Sequence, residues 1–184
     1  FGSSFVCDSF GKIIKKASDN QALVLIDEAY YPFFNESSIE LINEFDNLVV
    51  SRTFSKAFGM ANLRLGYLVS NEENIKNLLK VVSPYSVNGV AVACAFAALD
   101  DYDYVKGYVK EVNKSKISLY NALGKLNIKY YRSDGNFLLI DVKDKCYGYC
   151  KKLRQRGILV RSRTKDPLLN GCVRITIGSN EQTK

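Results

Sequence analysis

The sequence contains no histidine among its 184 residues, and that absence removes more chemistry than any other feature of the composition. A Ser-His-Asp triad, a Cys-His pair, a histidine zinc site and an imidazole general base are all excluded within these residues. Catalysis here must rest on lysine, tyrosine, carboxylates, arginine or cysteine. Cysteine is sparse and irregular: Cys7, Cys94, Cys146, Cys150 and Cys172 form an odd set without a C-x-x-C pair. That points to reduced thiols, with no disulfide framework and no bound metal. No apolar run reaches the roughly 18 residues of a membrane span. Residues 1–10 also lack the basic start and long apolar stretch of a signal peptide. A cytoplasmic protein without a membrane partner is expected. No internal repeat or low-complexity segment is present.

What is there reads as a packed domain. Hydrophobic residues make up 47% and charged residues 24%, close to the average of globular proteins, so a core can form. Lys and Arg outnumber Asp and Glu by 26 to 19, a formal charge of +7, which could serve nucleic acid, acidic lipid or phosphorylated small molecules. The basic residues are dispersed, and the densest stretch, residues 151–163, reads as a helix end followed by a strand rather than a basic tail. Tyr102, Tyr104 and Tyr108 could offer stacking platforms, but Asp100, Asp101 and Asp103 beside them would repel a phosphate backbone. No nucleic-acid partner is expected.

Periodicity divides the chain. Residues 9–17 place Phe10, Ile13, Ile14 and Ala17 at helical spacing, and residues 22–26 form a short apolar run of the kind seen in buried parallel strands. A helix over 37–45 and strands over 48–51 and 65–69 follow. That alternation implies an α/β sheet covered on both faces. Helices then dominate, over 72–82, 88–99 and about 103–126. Strands return over 129–132, 137–142, 158–160 and 173–177, with a helix over 145–156. The expectation is a partial large α/β domain over residues 1–101 and a smaller α+β carboxyl-terminal domain over 102–184 that begins with the long linking helix. The small domain is expected to pack around Phe137, Leu139, Ile158, Val160 and Ile175. Three strands are few for a sheet buried on both faces, so the chain reads as a carboxyl-terminal piece whose remainder precedes Phe1.

Two segments carry the chemistry. In Leu25-Ile26-Asp27-Glu28-Ala29-Tyr30 a carboxylate stands at the carboxyl end of a strand, where open α/β sheets bind ligands, with a tyrosine three residues on. The plainer alternative is that Asp27 caps the turn and Tyr30 packs. In the stretch from Ser51-Arg52-Thr53-Phe54-Ser55-Lys56 through Gly59-Met60-Ala61-Asn62-Leu63-Arg64-Leu65-Gly66-Tyr67, a lysine follows a strand and a hydroxyl cluster. Thr53, Ser55 and the guanidinium of Arg64 could hold one phosphate beside Lys56. Gly59, Ala61 and Gly66 keep that backbone slim.

Together these segments resemble the class I/II pyridoxal-phosphate aminotransferases of fold type I, most closely the branch acting on histidinol phosphate. The likeness runs over about residues 23–182 and is most specific from Ser55 to Tyr67, with Asn62 where the family usually has glycine. It implies pyridoxal 5'-phosphate as cofactor and a set of residue roles. Lys56 would condense with the cofactor aldehyde and shuttle a proton, Asp27 would pair with the pyridine nitrogen, and Tyr30 would bond the ring oxygen. Thr53, Ser55 and Arg64 would grip the phosphate. Arg174, in Gly171-Cys172-Val173-Arg174, matches the arginine that takes the amino donor's carboxylate. Arg161, in Gly157-Ile158-Leu159-Val160-Arg161, matches one that helps hold a substrate phosphate. Read without the likeness, each arginine could equally form a surface salt bridge. Asn136, which opens an inner strand, is given a structural role. The implied reaction passes an amino group between histidinol phosphate and glutamate/2-oxoglutarate in a homodimer. A sister reading is decarboxylation of phosphoserine or phosphothreonine, or amination of another phosphorylated substrate. The Gly-rich turn, the ring-stacking aromatic and the partner's tyrosine that relatives use lie upstream of this chain, so alone it is expected to be inactive.

Overall fold

The computed structural model describes residues 23–183. The helix expected over 9–17, the start of the first strand at Ala22, and Cys7 lie outside the described residues. The described residues divide into two compact units, one comprising residues 23–31 and 35–102, the other residues 32–34 and 103–183. The fold class is α/β, as the sequence pattern implies.

The first unit is built on a three-stranded sheet of order β1-β2-β3, from β1 (Val24–Asp27), β2 (Leu48–Thr53) and β3 (Gly66–Ser70). β1 pairs parallel to β2, Asp27 opposite Ser51, and β3 pairs antiparallel to β2, Arg52 opposite Tyr67 and Thr53 opposite Gly66. The central run Leu48, Val49 and Val50 is at most 4% exposed. That is why a continuous apolar triplet stands there instead of an alternating one. Coverage on both faces does not extend to the flanking strands, where Leu25 is 61% and Leu68 45% exposed among the described residues.

The helix expected over 37–45 is instead a short 3-10 turn, Ile39–Asn43. The preceding serines are drawn away from a helical start, because Ser38 N–H and Ser37 Oγ both donate to the Glu28 carboxylate. A short helix α1 (Tyr31–Phe34) precedes it. The helices α2 (Glu72–Leu79) and α3 (Gly89–Asp100) each begin at an asparagine cap. Asn71 Oδ1 accepts from Asn74 N–H at 2.8 Å, and Asn88 Oδ1 from Ala91 N–H at 2.8 Å. Such caps satisfy amide donors that a helix start leaves open.

The second unit carries the long helix α4 (Tyr102–Lys125), all but its first residue, and a four-stranded antiparallel sheet of order β4-β5-β7-β6. Its strands are β4 (Tyr130–Tyr131), β5 (Phe137–Asp141), β6 (Arg161–Ser162) and β7 (Cys172–Thr176), with helices α5 (Cys146–Gln155) and α6 (Asn180–Thr183). One face buries Leu138, Ile140 and Val173 completely. Tyr130, opposite Ile140, stacks on Tyr120 of α4 with ring centroids 5.1 Å apart, so that face lies against α4. Residues 32–34 join this unit because Phe33 packs edge-on against Tyr108 and its carbonyl accepts from Asn113.

The core differs from expectation in phase. Leu138 and Ile140 point inward where Phe137 and Leu139 were expected, and Ile177 is also fully buried. Phe137–Asp141 has no polar residue to fix the alternation until its end, so either phase fits the pattern. The strand expected over 158–160 is absent: Ile158 is 51% and Leu159 74% exposed, and pairing begins only at Arg161. Of the described cysteines, Cys94, Cys146, Cys150 and Cys172 are free thiols. None of the described helices is long and apolar enough to cross a membrane.

Candidate active site

Six of the residues singled out in the sequence belong to the first unit, where β1 and β2 end and β3 begins. Alternation along a strand sends successive side chains to opposite faces. Asp27, its partner Ser51, and Thr53 therefore share one face. Arg52 and its partner Tyr67 share the other.

Asp27 closes β1 as an exposed carboxylate. Its Oδ1 accepts from Ala29 N–H at 3.1 Å and from Ser51 Oγ at 3.1 Å, which fixes the side chain while Oδ2 has no partner among the described residues. Tyr30 follows in the turn, and Lys56 Nζ stands over its ring, 5.2 Å from the centroid. The turn carrying Lys56 is held from below by Phe54 and Ala57, each 5% exposed, with Phe54 packed on Phe58 and Tyr67.

The hydroxyl cluster divides by hydrogen bonding. Thr53 Oγ1 donates to the Leu65 carbonyl at 3.2 Å and accepts from Ser55 N–H at 3.1 Å, so its proton is committed within the turn. Ser55 Oγ has no hydrogen-bond partner among the described residues. Arg64 has left-handed backbone, φ 55°, and gives one bond, from Nη1 to the Ala61 carbonyl at 2.7 Å, with the rest of its guanidinium exposed. A non-glycine residue in that conformation costs about 1 to 2 kcal/mol, and strain of this kind collects at functional sites.

The glycines act differently from one another. Gly66 lies so near β2 that a Cβ would come within 2.7 Å of the Arg52 carbonyl oxygen. Gly59 has open space around it and is required instead by its φ of 71°. Asn62 sits in the exposed 3-10 turn Ala61–Leu63 without positive φ, so glycine is not demanded there.

In the second unit, Arg161 of β6 and Arg174 of β7 are direct partners across the antiparallel pair, so both leave the same face. Arg174 lies over the Phe137 ring at 5.1 Å. Neither arginine has a carboxylate within ion-pair distance among the described residues. Asn136 accepts through its carbonyl from Ile177 N–H at 2.7 Å, a structural bond that docks β7 onto the start of β5.

One cluster escaped the sequence reading. Glu28 and Arg52 form an ion pair at 2.9 Å with side chains only 8% and 16% exposed, and Arg52 stacks on Tyr31 at 3.6 Å. Burial alone would lower the Arg52 pKa, but hydrogen bonds to Tyr67 and Glu28 raise it above its ordinary value. The available signal was an acid at the end of one strand and a base in the next, one residue removed from each motif residue.

The full chain, residues 1–184, matches the family described as aminotransferase class I and II. The chain belongs to that family. Among curated class I/II relatives, the histidinol-phosphate aminotransferase of Thermoanaerobacter sp. (strain X514) is 42% identical over 170 residues, covering 92% of this chain and 48% of that protein. That of Christiangramia forsetii is 40% identical, covering 100% of this chain and 52% of its own length. The chain thus spans about half the length of these relatives. Among solved structures, the Sinorhizobium meliloti histidinol-phosphate aminotransferase in complex with pyridoxal-5'-phosphate superposes with a TM-score of 0.76 at 28% identity, over 88% of this chain and 46% of that one. The L-threonine-O-3-phosphate decarboxylase of Porphyromonas gingivalis gives 0.76 at 26% identity, over 88% and 52%.

Proposed function

We propose that this chain supplies the catalytic lysine and the substrate-anion arginines of a pyridoxal-phosphate-dependent aminotransferase, acting on histidinol phosphate with 2-oxoglutarate and glutamate as the exchanging pair. The observation that carries the reading is the meeting of Asp27, Tyr30 and Lys56 at one end of the first unit's sheet, with Lys56 Nζ over the Tyr30 ring. The residues present suit the cofactor. Asp27 has an oriented carboxylate with one open oxygen for a protonated ring nitrogen, and Ser55 and Arg64 have uncommitted donors for a phosphate.

When bound, pyridoxal phosphate supplies an electron sink for a carbanion next to the transferred nitrogen. Asp27, steadied by Ser51, would hold a proton at the ring nitrogen. Tyr30 would donate to the ring oxygen. Lys56 would hold the cofactor at its aldehyde carbon, and its amine would carry the proton to and from the substrate carbon. Ser55 and Arg64 bind the phosphate, with Thr53 holding the turn that presents Ser55. Arg174 takes the carboxylate of the amino donor and Arg161 helps hold the substrate phosphate. Residues 1–101 then form part of the cofactor-binding domain and 102–184 the small domain. The working enzyme is a cytoplasmic homodimer in which the half seen in the relatives but not in this chain completes the site.

Borohydride reduction of the cofactor-loaded protein tests this directly: the pyridoxyl label must lie on Lys56, and a label confined to another lysine refutes it. The likeness to the phosphothreonine decarboxylase favours a second reading with the same residues and a different bond broken. Release of carbon dioxide from phosphothreonine, without glutamate formed from histidinol phosphate and 2-oxoglutarate, would select it.

A further inference from the structure

The back of the sheet end, opposite the face that carries Asp27 and Thr53, holds the most completely satisfied polar cluster in the first unit. Glu28 accepts from Arg52 twice, through Nε at 3.0 Å and Nη2 at 2.9 Å, from Ser37 Oγ at 3.1 Å and from Ser38 N–H at 2.5 Å. Arg52 Nη2 also donates to Ser37 Oγ at 2.8 Å, and its guanidinium lies flat over Tyr31. Tyr67 stands opposite Arg52 across the β2–β3 pair. Two nitrogens of one guanidinium converge on a single oxygen, Glu28 Oε2, while Ser38 N–H holds Oε1, and together these contacts fix the pair's distance and angle.

The members of this cluster alternate with the proposed site residues in the sequence. Glu28 follows Asp27, Tyr31 follows Tyr30, and Arg52 precedes Thr53. Both backbone segments, 27–31 and 52–53, are therefore gripped at a residue adjacent to a site residue, from the opposite face. We propose that the Glu28–Arg52 pair is a positioning element that sets where Asp27, Tyr30 and the Lys56 turn stand relative to one another. It does not touch the cofactor and acts only through its neighbours. This rests on the reading of Asp27, Tyr30 and Lys56 given under Proposed function.

The test uses the cofactor-loaded protein and reads three quantities: the melting temperature, the dissociation constant for pyridoxal phosphate, and the pH at which the visible band of the bound cofactor titrates. That pH depends on the hydrogen bond from Tyr30 and the charge of Asp27. Glu28→Gln keeps the shape and one acceptor but loses the charge, and it should weaken cofactor binding about tenfold and move the band's titration to higher pH. Arg52→Lys keeps the charge without the fork and should lie between it and the parent. Should Glu28→Gln fail to fold, Ser37→Ala removes one bond to the cluster at an exposed site and should shift the band in the same direction by less. Variants that lower the melting temperature while leaving cofactor affinity and band titration unchanged would overturn the positioning role and leave a purely structural pair. If the parent protein takes up no pyridoxal phosphate, the functional reading fails and this role with it. Binding by the parent with an unmoved band in the variants sinks this role alone.

Discussion

Removing the guanidinium of Arg161 or Arg174 should affect stability and binding in opposite ways. The two residues are direct partners across β6 and β7 with no carboxylate between them among the described residues. Like charges opposite one another across strands are unfavourable. At a separation of about 6 to 7 Å in a water-like dielectric, two unit charges repel by about 0.6 kcal/mol. Arg161 is exposed and its side chain has no bond among the described residues, so Arg161→Gln should leave the protein equally stable or up to about 0.5 kcal/mol more stable at low salt. Arg174 also lies over Phe137, a contact worth about 0.5 to 1 kcal/mol, so in Arg174→Gln the lost contact and the relieved repulsion nearly cancel. Substrate binding should move far more. Leaving an anion without its guanidinium costs about 3 to 5 kcal/mol, roughly a hundredfold to several thousandfold in affinity. Thermal unfolding of the cofactor-loaded variants, beside steady-state kinetics of the same variants made in the full-length enzyme with glutamate and with histidinol phosphate, separates the two effects. Arg174→Gln should keep the cofactor's visible absorbance and lose glutamate sharply, whereas Arg161→Gln should weaken the phosphorylated substrate more. A destabilisation above about 2 kcal/mol with unchanged KM for both substrates would make the pair structural, and equal losses for both substrates in both variants would refute the division of roles.

Three further outcomes follow from the packing. Leu138→Ala should destabilise by about 2 to 5 kcal/mol in denaturant unfolding and Leu139→Ala by under about half as much, since only Leu138 is fully buried; the reverse order would mean the strand is in the other phase. Gly66→Ala should cost about 1 to 3 kcal/mol, because its Cβ would meet the Arg52 carbonyl, and a neutral melt would contradict that close approach. Burial holds the Lys116 amine below its ordinary pKa, so between the folded and unfolded values the unfolded chain binds more protons and this group's contribution to stability rises with pH. Lys116→Met should therefore flatten the alkaline stability profile, and an unchanged slope would show that the amine is not desolvated.

The sequence was legible where one physical cause dominated. Leu48, Val49 and Val50 read as a buried strand because covering both faces leaves no room for polar residues. The helix expected over 88–99 is α3, and the Asn88 side chain closes its first turn. Legibility failed where local pattern met a tertiary claim on the same atoms. The periodicity over 37–45 fits a helix, yet Ser37 and Ser38 give their donors to Glu28, ten residues back for Ser38, which no local pattern encodes. The apolar run after Gly157 looks like a strand, but its φ of 77° turns the chain and delays pairing until Arg161. Within the candidate site, the residue types were readable and their hydrogen-bond state was not. Nothing in the letters tells that the Thr53 proton is taken by Leu65 and the Ser55 hydroxyl is not.

That difference in hydrogen-bond state sorts the sheet end into two sets with different work. Ser51, Thr53, Glu28 and Arg52 are satisfied inside the protein, and each bond they make fixes a backbone segment or a neighbouring side chain. Asp27 Oδ2, the Ser55 hydroxyl and most of the Arg64 guanidinium lack such partners among the described residues, although the residues bearing them are held by Ser51, Thr53 and the Ala61 carbonyl. A group left open by accident is normally mobile and solvated. A group left open while its carrier is fixed has already lost the conformational freedom that binding would otherwise cost, so an incoming anion or ring nitrogen gains the bond without paying that entropy again. Arg64 ends the 3-10 turn Ala61–Leu63 in left-handed backbone at a cost of about 1 to 2 kcal/mol, and that conformation sets the direction from which its guanidinium leaves the turn. Arg161 and Arg174 repeat the pattern in the second unit, two like charges held in register by the sheet with no carboxylate beside them among the described residues.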